Sequence, residues 1–204
     1  MEERYGGIRL PVPTDALTKL IERDADDLDL YADLSAHGRG VDGTTQFRAG
    51  SKPRVRVAGE IGALLGQGRR EHRLRTTLSH EYGHVMLHRV LYDGKVASPE
   101  LLDYPVCKRD TMLRASGVDW MEWQAGYSCG ALLVPISHLR KLVSEHLEKR
   151  GVHTASVRRD TPRAGELIYE VSKTFFVSPE AAKVRLDKLG FLTDHEAGPS
   201  LFDA

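Results

Sequence analysis

The chain has 204 residues, 41% of them hydrophobic, and its 29 Lys plus Arg balance its 29 Asp plus Glu. That length supports one good core, or a catalytic core with a small appendage, and the balance gives no bulk signature of a nucleic-acid, membrane-surface or acidic-substrate partner. No run approaches the roughly 18 apolar residues of a membrane span, and Met1-Glu2-Glu3-Arg4-Tyr5 has no signal pattern, so a cytoplasmic protein without a membrane partner is expected.

Thr14 or Asp15 is read as the cap of a first helix whose buried stripe is Leu17, Leu20, Ile21 and Leu28, continuing towards Tyr31 and Leu34. The acidic residues Asp24, Asp26, Asp27, Asp29 and Asp33 are dense enough to suggest a cation loop. No glycine sits where a calcium loop turns, however, so a solvated face is the reading. Residues 41–47 and 53–58 read as two strands, the second alternating Val55 and Val57 with Arg54 and Arg56. With a turn at 48–52 they form a small antiparallel sheet. The glycine-bearing stretch 59–69 lacks both G-K-[ST] and G-x-G-x-x-G, which excludes a phosphate loop and leaves a flexible lead-in hinged at Gly66 and Gly68.

A helix follows over residues 70–89, with Leu74, Leu78 and Val85 as its apolar stripe and no proline to interrupt it. It carries His80-Glu81-Tyr82-Gly83-His84, an H-E-x-x-H motif. Four residues turn a helix by about 400° and advance it by roughly 6 Å, so both imidazoles reach one metal ion from the same face. Glu81, rotated by about 100°, is placed to act as a general base. Gly83 costs about 1 kcal/mol of helix propensity relative to Ala, which predicts a close approach there by a flat sheet or a substrate. His72 and His88 flank the motif. His88, a turn beyond His84, is too far along the axis to bind the same ion, which gives it a role at the surface or behind the ligands.

Asp119-Trp120-Met121-Glu122-Trp123-Gln124-Ala125 then opens a second apolar helix through Ala125, Cys129, Leu132 and Leu133, ended by Pro135. Catalytic zinc usually takes three protein ligands and an open position, and Glu122 can be the third. It can equally close a capping box with Asp119. A glutamate between two tryptophans on an apolar helix is costly unless paired, which favours the ligand. Tyr127 is either a donor to a developing oxyanion or a half-buried core residue. Cys107 and Cys129 form no C-x-x-C pair or disulfide scaffold; Cys129 reads as a small core residue, and either thiol would be the fourth ligand if the site were a closed structural one.

Ser137 is read as the cap of a helix bearing Leu139, Leu142, Val143 and Leu147 and ended by Gly151, and residues 152–162 as a polar loop. Two short helices follow. Leu167, Ile168, Val171 and Phe175 stripe the first; Ser178 as N-cap, Pro179 at the first position and Gly190 past the end delimit the second. With Lys183, Arg185 and Lys188 on the second, the pair has a helix-turn-helix outline, read either as a packing element or as a DNA-recognition element. The expected organisation is a domain over 1–150, a helical extension of it over 151–192 and a frayed tail over 193–204.

The motif His80-Glu81-Tyr82-Gly83-His84, together with E-W-Q-A-G-Y-S-C-G-A-L-L-V-P from Glu122 to Pro135, resembles the ImmA/IrrE family of bacterial metallopeptidases, whose pattern is H-E-x-x-H followed by E-x-x-A-N-x-F-A-x-x-L-L-x-P. The resemblance covers most of the chain; against the family's pattern the gap between His84 and Glu122 is long, so residues 91–118 read as an insertion. The resemblance implies an α+β, zincin-like metallopeptidase core with a small antiparallel sheet against the motif helix and a C-terminal helical appendage. It also implies zinc held by His80, His84 and Glu122, Glu81 as the catalytic base, and a strand of the 41–58 hairpin that holds the substrate backbone by edge addition. Manganese suits the same nitrogen and oxygen donors. The implied activity is endoproteolysis of a specific protein, typically a helix-turn-helix repressor, in a stress or mobile-element response. The alternative is a non-catalytic module that docks on a repressor or on DNA. One departure stands out: where the family tends to place Asn or Asp to orient a ligating histidine, this chain has Gly126.

Overall fold

The computed structural model describes residues 9–48, 50–93, 106–108, 120–152, 154 and 156–194. The chain is mixed α+β and groups into two compact units, Met1–Leu132 and Leu133–Ala204. The first unit carries α1 (Thr14–Asp24), β1 (Asp27–Ala32), β2 (Val41–Gln46), β3 (Arg54–Ala58), the one-turn α2 (Gly59–Gly62), α3 (Glu71–Asp93), β4 (Val106–Lys108) and α4 (Trp120–Leu133). The second carries α5 (Ile136–Glu148), β5 (Val157–Arg158), α6 (Pro162–Phe175), α7 (Pro179–Lys188) and β6 (Leu192–Thr193). Helix α5, assigned by sequence order to the domain over 1–150, groups with the C-terminal helices.

The first helix is shorter than its apolar stripe suggests. It stops at Asp24, Ala25 turns extended, and Leu28 and Tyr31 belong to β1, where Tyr31 is 77% exposed. The run Asp27-Leu28-Asp29-Leu30 has period two as well as helical spacing. Pairing with β3 decides between them, setting Asp27 opposite Arg54 and Asp29 opposite Arg56. Thr14 is the first helical residue and not the cap; its hydroxyl donates to the Glu71 carboxylate of α3.

The sheet is mixed and not antiparallel throughout. Its order is β1-β3-β2-β4, with β1 parallel to β3 and β2 antiparallel to both neighbours. β4 comes from the stretch read as an insertion and pairs Cys107 with Gly43 and Val106 with Thr44. Both strands of the hairpin are therefore interior, so neither offers the edge that substrate strand addition would need. The lead-in at 59–69 is partly ordered into α2 and a 3-10 turn at Gly68–Arg70.

Helix α3 is the axis of the first unit, and different residues around it meet different partners. Arg73, Thr77 and Glu81 touch β2; Glu71, Arg75 and Tyr82 reach α1 or the segment before it; Thr76, His80, Gly83, His84 and His88 touch α4. The helix is wrapped rather than amphipathic. Leu74, Leu78 and Val85 are buried as expected.

In the second unit the end signals of α7 hold: Ser178 accepts from the backbone N–H of Ala181 and is followed by proline, and Gly190 has φ 74°; α6 is capped in the same way by Thr161, which accepts from the N–H of Ala164 inside the stretch read as loop. Leu167, Val171 and Phe175 are fully buried. Three expectations fail. Pro135, not Ser137, stands at the N-cap of α5; residues 157–158, read as loop, pair in parallel with 192–193, so Thr193 is sheet and not tail; and Arg185 is 5% exposed, its Nε donating to the Val134 carbonyl at 3.2 Å, which withdraws it from any basic surface. Residues 195–204 lie outside those described. No helix among the described residues is long and apolar enough to cross a membrane.

Candidate metal centre

His80, His84 and Glu122 meet as expected from the motif, with one ligand atom of each within 4.8 Å of the others. His80 Nε2 lies 3.0 Å from Glu122 Oε2, His84 Nε2 lies 3.2 Å from Glu122 Oε1, and the two Nε2 atoms are 3.2 Å apart. An ion in tetrahedral coordination at about 2.0–2.1 Å from such atoms separates neighbouring ligands by about 3.3 Å. The three donors thus already span the edges of a zinc-sized polyhedron. All three residues are buried, both histidines fully.

Two neighbouring helices produce this geometry. α3 supplies the histidines one turn apart, and α4 brings Glu122 against them because the helices touch at Gly83. A Cβ at Gly83 would stand 3.0 Å from both the Ala125 Cα and the Ala125 carbonyl oxygen, closer than a methyl group can settle against backbone. The close approach expected at this glycine is therefore a second helix, not a sheet or substrate. Asp119, the partner in the alternative capping box, lies outside the described residues; the Glu122 carboxylate itself is engaged by His80 and His84.

The electrostatics suit a divalent cation. Burial holds His84 down at about 4 against the opposing pull of the Glu122 carboxylate, so its imidazole is neutral at physiological pH. Burial would raise the Glu122 carboxyl, but the imidazoles of His80 and then His84 beside it outweigh that and hold the group at about 2. A carboxylate with neutral imidazole is the protonation state a metal ligand set requires.

Glu81 is fully buried beside β2. Thr45 donates its hydroxyl to Glu81 Oε2 at 2.6 Å, and the space for the carboxylate exists because residue 43 is glycine: a Cβ there would lie 2.8 Å from Glu81 Oε1 and 2.9 Å from Thr77 Cγ2. Sequence reasoning missed both residues. A glycine inside a strand is a signal of close approach, and it was available at Gly43; nothing in the sequence marked Thr45.

Behind the ligands, His84 Nδ1 meets His88 Nδ1 at 2.9 Å, and His88 Nε2 meets Gln124 Oε1 at 3.0 Å. His88 is fully buried, so of its two expected placements the surface one is excluded. The other histidine differs: His80 Nδ1 is buried and finds no hydrogen-bond partner among the described residues. Gly126 itself has no side chain to donate or accept, and among the described residues no backbone carbonyl takes over.

Tyr127 is 43% exposed and lies in a ring stack with Trp123 and, beyond it, Trp120, so it is not a core tyrosine. About 140° of helix rotation separates it from Glu122. Cys129 is buried and its thiol donates to the Thr76 carbonyl at 3.6 Å; no sulfur joins the metal-capable group among the described residues. The side chain of Cys107 lies outside them. No family model matches the chain, and no curated protein matches it.

Proposed function

We propose that the protein is a zinc-dependent endopeptidase with a zincin-like core of the ImmA/IrrE type. The observation that carries this reading is the convergence of His80, His84 and Glu122 on one buried point, with Glu81 on the same helix held by Thr45. A closed structural site would need a fourth protein ligand, and none stands in the group among the described residues.

A divalent cation held by the three ligands supplies Lewis-acid activation of water and of a peptide carbonyl. Glu81 takes the proton of the attacking water on its carboxylate and returns it to the leaving amine nitrogen. The Thr45 hydroxyl fixes the carboxylate's orientation through both steps, so that the base does not have to be ordered at the moment of reaction. Manganese fits the same donors. The proposed substrate is a specific protein, a DNA-binding repressor of the helix-turn-helix class, and the setting a stress or mobile-element response in the cytoplasm.

The test is to incubate the purified protein with zinc or manganese and a repressor encoded beside it, and to follow cleavage by mass spectrometry. Cleavage abolished by EDTA and by Glu81→Gln, with zinc binding retained in the variant, is expected; the loss should be about 100- to 10,000-fold in rate. A Glu81→Gln protein that still relieves repression would sink the protease reading in favour of a docking module, and EDTA-resistant DNA binding that weakens steeply with salt would identify the DNA version.

A further inference from the structure

Two histidines of one motif face one point, yet only one of them is anchored from behind. His84 continues into His88 and Gln124, whereas His80 Nδ1 has no hydrogen-bond partner among the described residues. The direction of the anchored chain follows from its last member. Gln124 presents its carbonyl oxygen to His88 Nε2, and an oxygen only accepts. His88 therefore carries its proton on Nε2. Its Nδ1 is then a lone pair, and the 2.9 Å contact requires His84 to donate from Nδ1. With Nδ1 as the donor, Nε2 is the ring nitrogen left to ligate a metal, the atom 3.2 Å from both His80 Nε2 and Glu122 Oε1.

We propose that His88 and Gln124 are positioning residues for His84: through two hydrogen bonds they fix its tautomer and ring orientation so that Nε2 is presented as a metal ligand. Gln124 lies two residues beyond Glu122, so α4 supplies the third ligand and the orienting carbonyl from a single turn. The helix contact at Gly83 sets both at once. An imidazole and an amide on the second histidine thus do work for which the resembled family tends to use an Asn or Asp side chain, at the position that is Gly126 here. This role rests on the metal-site reading above.

The experiment measures zinc affinity by competition with a chromophoric chelator, alongside the imidazole ¹⁵N spectrum of the full-length protein. His88→Phe keeps ring volume and removes both nitrogens; it should weaken zinc by about 10- to 100-fold. Gln124→Met should weaken it by a smaller factor, while Gln124→Glu, which keeps the acceptor, should hold affinity at or above the wild-type value. Because the residues act in series, the double variant His88→Phe/Gln124→Met should bind no more weakly than His88→Phe alone. The spectrum should show His88 protonated on Nε2 and His84 on Nδ1.

Should His88→Phe fail to fold, the contrast between Gln124→Met and Gln124→Glu decides. Wild-type zinc uptake with unchanged affinity in both His88→Phe and Gln124→Met, equal loss in Gln124→Met and Gln124→Glu, or His88 protonated on Nδ1 would each overturn the proposal. A wild-type protein that takes up no zinc overturns the metal-site reading itself, and the role of His88 with it.

Discussion

The two units solve burial in opposite ways. The first encloses Asp42, Thr44, Thr45, Arg75, Thr77, Ser79, His80, Glu81, His84, His88 and Glu122; in the second the interior is aliphatic and aromatic, with only His146, Ser172 and Arg185 among its buried polar residues described. Burying a polar group costs free energy unless it is paired. Two of the second unit's three serve the fold: Ser172 donates to the Val177 carbonyl at the turn after α6, and Arg185 to Val134. In the first unit, polar side chains from α3, β2 and α4 meet around one point. A concentration of this kind marks a site, whereas the second unit reads as a folded body held by apolar stripes.

Four outcomes would break or sharpen that contrast. Leu167→Ala, at a position with no exposure in the second unit, should cost about 2–5 kcal/mol of stability and leave zinc affinity untouched; a large loss of affinity, measured by chelator competition, would mean that the units are not functionally separate. Zinc at a hundredfold excess over its dissociation constant should add about 2.7 kcal/mol. In hydrogen exchange the added protection should fall on α3, α4 and β2 and bypass α6 and α7, and His84→Ala should abolish it. Gly83→Ala should cost about 1–3 kcal/mol by overpacking, despite alanine's better helix propensity. It should also lower zinc affinity, since Glu122 is carried on the helix that must move; calorimetry together with the chelator assay reads both.

The smallest effect concerns Asp24, which ties α1 to α3 through a hydrogen bond from the Tyr82 hydroxyl at 2.8 Å. The Arg23 guanidinium holds the Asp24 carboxyl below its ordinary 3.8, with burial opposing and Tyr82 assisting. A depressed carboxyl stabilises the fold above its unfolded value and loses that contribution as pH falls through the folded one. Asp24→Asn should therefore cost at most about 1 kcal/mol at pH 7, because the pair is part exposed and screened. Denaturation series should show the gap closing below pH 4.

The line between what the sequence disclosed and what it concealed follows the range of the interactions. His80, Glu81 and His84 are legible because their geometry is internal to one helical turn, and the limits of α7 because Ser178, Pro179 and Gly190 act on their own backbone. Glu122 is legible only in combination with a motif some forty residues earlier. Leu28 and Tyr31 were misread as helix because their spacing fits two periods and the decision lies with β3, a strand remote in sequence. Arg185 was counted as a surface cation because charge predicts exposure until a backbone carbonyl claims it. Thr45 and Gln124 have no local signature at all. Each acts on a residue of another element, and the order β1-β3-β2-β4, with a crossover and a parallel pair, is not a pattern that neighbouring residues can spell out.

Gly43 brings neither charge nor hydrogen-bonding side chain to the centre, yet its effect can be stated as a rule of descent. Every other amino acid carries a Cβ, and at this position that atom would fall 2.8 Å from Glu81 Oε1. Any larger residue there must push the Glu81 carboxylate or Thr77 out of its present place. On the proposed mechanism, a lineage that uses Glu81 as base holds residue 43 as tightly as the histidines.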